Sequence, residues 1–111
     1  MRIINIDKGI ILDKLINYPN PFKGSTSVTV EHNRPGSQLK IRIDIFSSGG
    51  RHIRSIVVNE YSTGYRTNPV IWDGRSSDQQ PVAAGIYPYR VTITTENGET
   101  EVKSGRMVIM K

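Results

Sequence analysis

Chemistry in this chain would have to start from few groups. It has no cysteine, and its two histidines are His32 and His52. A hydrolase needs a nucleophile, a base and a group that orients the base, all within hydrogen-bond reach. His32 stands at a strand end before a turn, and His52 follows Gly49-Gly50. Neither falls among spaced acids or nucleophiles, so both read as solvent-facing strand residues. The oxygen-rich run Asp73-Gly74-Arg75-Ser76-Ser77-Asp78-Gln79-Gln80 invites a calcium reading. It lacks the EF-hand pattern, because its glycine is second and no bidentate Glu follows. Turn formation by Asp73, with side-chain capping by Asp78, accounts for the same letters. The glycines at 49, 50, 64, 74 and 85 have no phosphate-loop spacing. The residues therefore predict no catalytic site, no metal and no cofactor, and the isolated domain is expected to hydrolyse no peptide, ester or glycoside.

The elements that would carry any site are short strands. Val70-Ile71-Trp72 ends at Asp73-Gly74, and Gly85 restarts the chain as a long alternating strand. On it Tyr87, Tyr89, Val91 and Ile93 share one face, while Ile86, Pro88, Arg90 and Thr92 share the other. Trp72 and the two tyrosines read as the centre of a β core, with the 73–84 loop as its lid. Leu39, Ile41, Ile43 and Ile45 alternate with Lys40, Arg42 and Asp44 after the Asn33-Arg34-Pro35-Gly36 turn. Ser47-Ser48-Gly49-Gly50 closes a hairpin into residues 51–58, where Ile53 and Ile56 are out of phase and predict a bulge between them. Thr26 to His32 is a further alternating run, and Glu96-Asn97-Gly98-Glu99 is a hairpin turn with Asn97-Gly98 as its two-residue centre, leading into Thr100–Lys111.

The start of the chain divides into 1–14, a linker tail with a short strand, and 15–111, the domain proper. In the tail, Ile3, Ile4 and Ile6 precede a small turn at Asp7-Lys8-Gly9. Pro19 and Pro21 bar a helix, so Tyr18-Pro19-Asn20-Pro21-Phe22 runs extended with Tyr18 and Phe22 as anchors. The tally is about seven strands with sandwich-like turn spacing: an all-β, immunoglobulin-like sandwich without a disulfide, or a small closed barrel.

Composition narrows the function classes. At 111 residues the chain is one domain able to bury a modest core. The formal charge is +5, yet Lys40, Arg42, Arg51, Arg54, Arg66, Arg75, Arg90, Lys103 and Arg106 are spread along the sequence rather than run together. That reads as solvated strand faces, with no nucleic-acid motif. No apolar run approaches the roughly 18–20 residues of a membrane-spanning helix. Met1-Arg2 opens no signal-peptide pattern, which fits either a cytoplasmic protein or a piece of a larger exported chain.

Several short motifs follow one another in a telling order. They are Tyr18-Pro19-Asn20-Pro21-Phe22, the Leu39–Ile43 strand, Gly50-Arg51, Trp72-Asp73-Gly74, Gly85-Ile86-Tyr87 and Met107-Val108-Ile109. This series resembles the C-terminal sorting domains of the type IX secretion system, which are similar to the Ig-like domain of flagellar hook-capping proteins. The resemblance runs over residues 15–111. Asn17–Phe22 followed by Glu31–Gly36 is most similar to the tails of the gingipain-type cysteine peptidases that serve as the system's sortases. It implies a non-catalytic signal that crosses the outer membrane and docks on the shuttle protein PorV and the translocon, with a peptidase domain lying before residue 1. The resemblance further implies that tails of cargo proteins are cleaved and that a sortase's own tail is retained as an anchor, which leaves open whether this one is cleaved. Pro88 departs from the family's usual apolar or aromatic residue and predicts an outward or edge position.

The terminal strand is the expected signal. A last strand commonly offers an unpaired edge to a partner's strand, which places the partner contact at Val108, Ile109, Met110 and Lys111. Removing Val108–Lys111 should then take little from the core if the strand is already paired through Val102. The opposing expectation is that these residues are ordinary core. Two other classes fit an Ig-like domain: a carbohydrate-binding or adhesion module using Tyr61 and Tyr65, and a structural domain of the hook-cap type.

Overall fold

A computed structural model describes residues 9–111. Seven strands form within them: β1 (Leu12–Tyr18), β2 (Thr26–His32), β3 (Ser37–Phe46), β4 (His52–Ser62), β5 (Val70–Trp72), β6 (Gly85–Thr95) and β7 (Thr100–Ile109). They make two antiparallel sheets, β1-β2-β5 and β4-β3-β6-β7. The architecture is the immunoglobulin-like sandwich that the alternation predicted, with two separate sheets where a barrel would have one. Of the N-terminal expectations, Ile3, Ile4, Ile6 and the Asp7-Lys8 half of the turn lie outside the described residues. Ile10 and Leu12 are already core, so the boundary expected after residue 14 falls inside β1.

Alternation sets the core. Leu39, Ile41, Ile43 and Ile45 of β3 and Tyr87, Tyr89, Val91 and Ile93 of β6 are all buried, facing Val28 and Val30 of β2 and Trp72 of β5. Such burial is worth about 1.5–3 kcal/mol per large apolar side chain, which holds the two sheets together. Trp72 sits between Phe22 and Tyr87, edge-on to both, with ring centroids 5.9 and 6.0 Å away. Phe22 is thus the anchor expected of the proline segment, whereas Tyr18 is 74% exposed and anchors nothing.

The turns follow their residue chemistry. Ser47–Arg51 and Thr95–Glu99 close in the same way: the first residue's N–H reaches the last residue's carbonyl, at 2.8 Å in each. Gly50 (φ +92°) and Gly98 (φ +85°) take the left-handed position before the return strand. Each is a three-residue loop with a glycine bulge, so Asn97-Gly98 is not the two-residue centre expected. The bulge in β4 lies earlier than Ile56: Ile45 opposes Arg54 and Phe46 opposes His52, which leaves Ile53 as the extra residue. It turns Ile53 into the core, and Ile53 is buried. Pro88 lies on the outer side of β6, and the β3–β6 register stops at Tyr89 before reaching it, so no ladder needs its missing N–H.

The loop after Trp72 closes the end of the sandwich. Asp73 Oδ1 accepts from Arg75 N (3.1 Å) and from Arg54 Nη1 (3.2 Å), while Trp72 Nε1 donates to Arg75 O (2.9 Å). Asp73 therefore makes the turn expected of it. Inside the loop it is Ser76 Oγ, accepting from Asp78 N at 3.3 Å, that caps, rather than the Asp78 side chain. Ser77 N and Oγ both donate to Ile53 O, which fastens the loop to the β4 bulge.

His32 is not solvent-facing. It is buried, with Nδ1 accepting from Arg34 N (3.0 Å) and Nε2 within 2.8 Å of Ser62 Oγ. Since the backbone N–H occupies Nδ1, the proton sits on Nε2 and goes to the serine. Burial holds its pKa below the usual 6.5. The unfolded chain then binds the proton more readily than the folded one, so stability is complete above about pH 6.5 and falls as pH drops below it. The expected slope is at most about 1.4 kcal/mol per pH unit. Urea midpoints between pH 7.5 and 5 measure it, and His32→Gln should flatten the curve in that window. An unchanged slope in the variant would mean His32 does not titrate with folding.

Candidate functional site

The terminal strand β7 is an edge strand, hydrogen-bonded to β6 along its whole length from Gly85↔Ile109 to Thr94↔Thr100. An edge strand turns alternate N–H and C=O groups outward. Near the end of the chain those groups are already taken by the proline segment. Asn20 Nδ2 donates to Arg106 O (2.9 Å), and Asn20 Oδ1 accepts from Val108 N (2.9 Å). One side-chain amide thereby imitates a strand residue. Phe22 continues the mimicry: its N–H donates to Val108 O (2.9 Å), and its carbonyl accepts from Met110 N (2.8 Å). Thr26 Oγ1 donates to Pro19 O (2.6 Å) and steadies the segment from β2.

This clamp changes the expected partner surface. Ile109 is 6% exposed and belongs to the core with Met107, so its side chain is not offered to a partner. Val108 is partly buried, and the backbone edge at 106–110 is closed to strand addition. What stands out at this end is Met110, 43% exposed, and the exposed Lys111. The part of the edge free of the clamp lies upstream, near Ser104, beside the exposed Val102. Residues 108–111 include the buried Ile109 and both partners of Phe22, so their removal is expected to take core with it, against the reading that it costs little.

Among the motif residues, Phe22, Trp72, Tyr87 and Tyr89 converge in the core, and Tyr87 Oη donates to Ala83 O (2.6 Å) at the end of the lid loop. Burial pushes the Tyr89 phenol up to about 12. Its ring lies over Gly105, where an added Cβ would come within 2.9 Å of Tyr89 Cζ, so the glycine makes room for the ring. Gly74 (φ +74°) carries the Asp73 turn past Gly24 O and the Phe22 ring, and Gly85 opens β6 opposite Ile109. Pro19 and Pro21 lie in the clamp segment, each after a cis peptide bond.

The fold also assembles a cluster that the spacing did not suggest. Asp44 lies on the outer face of the four-stranded sheet, yet its side chain is only 6% exposed. Ser55 Oγ donates to its Oδ1 (2.6 Å), Arg42 Nε to its Oδ2 (3.1 Å), and His52 Nε2 approaches Oδ1 at 3.2 Å. Burial acts to raise the carboxyl's pKa, but the hydrogen bonds from Ser55, Arg42 and His52 outweigh it and hold the pKa below the usual range. Aspartate, histidine and serine together bring a hydrolytic triad to mind, but the wiring differs. In a triad the two imidazole nitrogens divide the work, one taking the serine proton and the other held by the carboxylate. Here the same Nε2 faces both Ser55 Oγ (2.8 Å) and Asp44, and the serine proton goes directly to the carboxylate. That geometry leaves Ser55 unactivated. His52 is exposed as expected, but its partners were missed, because they depend on a register that the Ile53 bulge shifts.

Of the residues considered for sugar binding, Tyr61 and Tyr65 are 60% and 65% exposed. Tyr65 lines a depression with Asp13, Glu31, His32 and Arg66 that Tyr61 does not join. No group of three or more His, Cys, Asp or Glu side chains able to hold a metal is found among the described residues. Nor is any helix there long and apolar enough to cross a membrane.

Comparison with known proteins places this geometry. Residues 17–99 match the FlgD Ig-like domain family. No curated protein sequence matches the chain. The crystal structure of dimeric latent PorU from Porphyromonas gingivalis superposes with a TM-score of 0.80 at 28% identity, covering 98% of this chain. The chain spans 10% of PorU's length. FlgD from Xanthomonas campestris, described for its part in flagellar hook capping, superposes with a TM-score of 0.62 at 19% identity. That likeness covers 90% of this chain and 67% of FlgD, and at such identity it carries the fold alone. With three quarters of its length inside the family match and the same two-sheet fold, the chain belongs to the FlgD Ig-like domain family.

Proposed function

We propose that this domain is a non-catalytic signal and docking module that directs its parent protein through the type IX secretion system to the outer-membrane surface. On this reading it is the tail of a PorU-type sortase and docks on PorV, and the parent's peptidase site lies upstream. The observation that carries the proposal is the likeness to PorU, which covers 98% of this chain at a TM-score of 0.80. The docking end is the C-terminus, where Met110 and Lys111 project beyond the clamped strand.

The test is a fluorescent reporter with a periplasmic export signal, fused ahead of this domain in a host with a type IX system. It should reach the cell surface, and it should stay in the periplasm when PorV is absent. A reporter held in the periplasm of the PorV-containing host would sink the reading. A Met110→Asp, Lys111→Glu pair, which leaves the core untouched, then probes the docking end. It should melt like the parent domain and lose PorV co-purification.

A further inference from the structure

The cationic residues that look scattered in sequence meet on one surface. Strand register puts opposite residues on the same face of a sheet. Lys40 opposes Thr94, Arg42 opposes Thr92, Asp44 opposes Arg90, and Pro88 opposes Arg106, all on the outer face of β4-β3-β6-β7. Along this face the strands carry Lys40, Arg42, Arg90 and Arg106 against a single carboxylate, Asp44. That carboxylate is already saturated by Ser55, Arg42 and His52. The Arg90 guanidinium reaches it only at 3.9 Å, lies 5.4 Å over the Phe46 ring and makes no hydrogen bond within the described residues. Its five donors are therefore held in place by stacking and unspent. An open depression of about 620 Å³ lies between Arg42, Arg90 and His52.

We propose that this outer face is an oxyanion site, in which Arg90 and Arg42 hold a phosphate or carboxylate group of a ligand above the Asp44 cluster. Asp44 acts as a positioning residue. It fixes the Arg42 Nε and His52 edges, and it leaves the outward donors of two half-exposed guanidiniums to the ligand. A planar guanidinium fork gives either anion two parallel charge-assisted hydrogen bonds. Thr92 and Val102 complete the rim, so the ligand's remaining atoms lie along β6 and β7.

Amide NMR shifts of the 111-residue chain, titrated with inorganic phosphate and separately with acetate, test this. Saturable shifts at the amides of Arg42, Asp44 and Arg90 are expected. Both probes acting there assigns a site for oxyanions in general, and phosphate alone narrows it to phosphate groups. Arg90→Gln should weaken binding on the order of tenfold, the loss of a charge-assisted pair. Ser104→Asp sets a carboxylate directly across from Arg90 and should abolish binding without altering the arginine. Lys23→Gln removes the same charge elsewhere and should change nothing. Shifts that never saturate and spread over all basic residues would overturn the proposal. So would an Arg90→Gln affinity equal to that of Lys23→Gln.

Discussion

Trp72→Ala is expected to destabilise the domain by about 3–5 kcal/mol, the cost of truncating a core aromatic. The ring is 1% exposed and packs between Phe22 on one side and Tyr87 on the other, each edge-on. Emptying that space removes the contact that seats Phe22, and with it the clamp over β7. It also leaves Arg75 O without the indole donor at 2.9 Å, so the lid loop loses a pin. Urea unfolding followed by circular dichroism measures the loss, since the only tryptophan reporter is gone. A change below about 1 kcal/mol would mean that the surrounding core relaxes freely and that Trp72 is peripheral to it.

Deleting Val108–Lys111 is expected to cost at least about 3 kcal/mol, in the range of removing a buried isoleucine together with its backbone pairing. Ile109 leaves the core, Phe22 loses both of its strand bonds, and Gly85 and Ile86 lose their β7 partners. The truncated domain should melt well below the intact one. Loss of export by such a deletion would therefore report unfolding as much as a lost signal. Surface localisation of the Met110→Asp, Lys111→Glu parent beside its melting curve separates the two. A truncation that melts like the intact domain would show that the clamp and Ile109 contribute little.

Much of the fold is legible because strand signals are local. The Leu39-to-Ile45 alternation names its buried face directly, as does Tyr87-to-Ile93, and both faces are those found buried. Pro88 announces an outward position because it has no N–H to give. Other features were misplaced by one step of geometry. The out-of-phase Ile53 and Ile56 announce the β4 bulge, but that Ile53 itself is the extra residue follows only from the pairing of Phe46 with His52 and of Ile45 with Arg54. His32 looks like a surface residue at a strand end, but the chain after Ser62 folds back over it, with His32 N donating to Tyr65 O.

From the chain alone came the all-β class, the inner faces, the turn glycines and the Asp73 turn, because period-two patterning and positive-φ chemistry belong to a few adjacent residues. Only the tertiary structure decided which edges are open and which surfaces are charged. Asn20 lies 86 residues from the Arg106 carbonyl it covers, so nothing local marks it as a strand mimic. Lys40, Arg42, Arg90 and Arg106 become one face only through the pairing of β3 with β6 and of β6 with β7. Register is a long-range property, and a slip of one residue would send every one of those side chains to the opposite face.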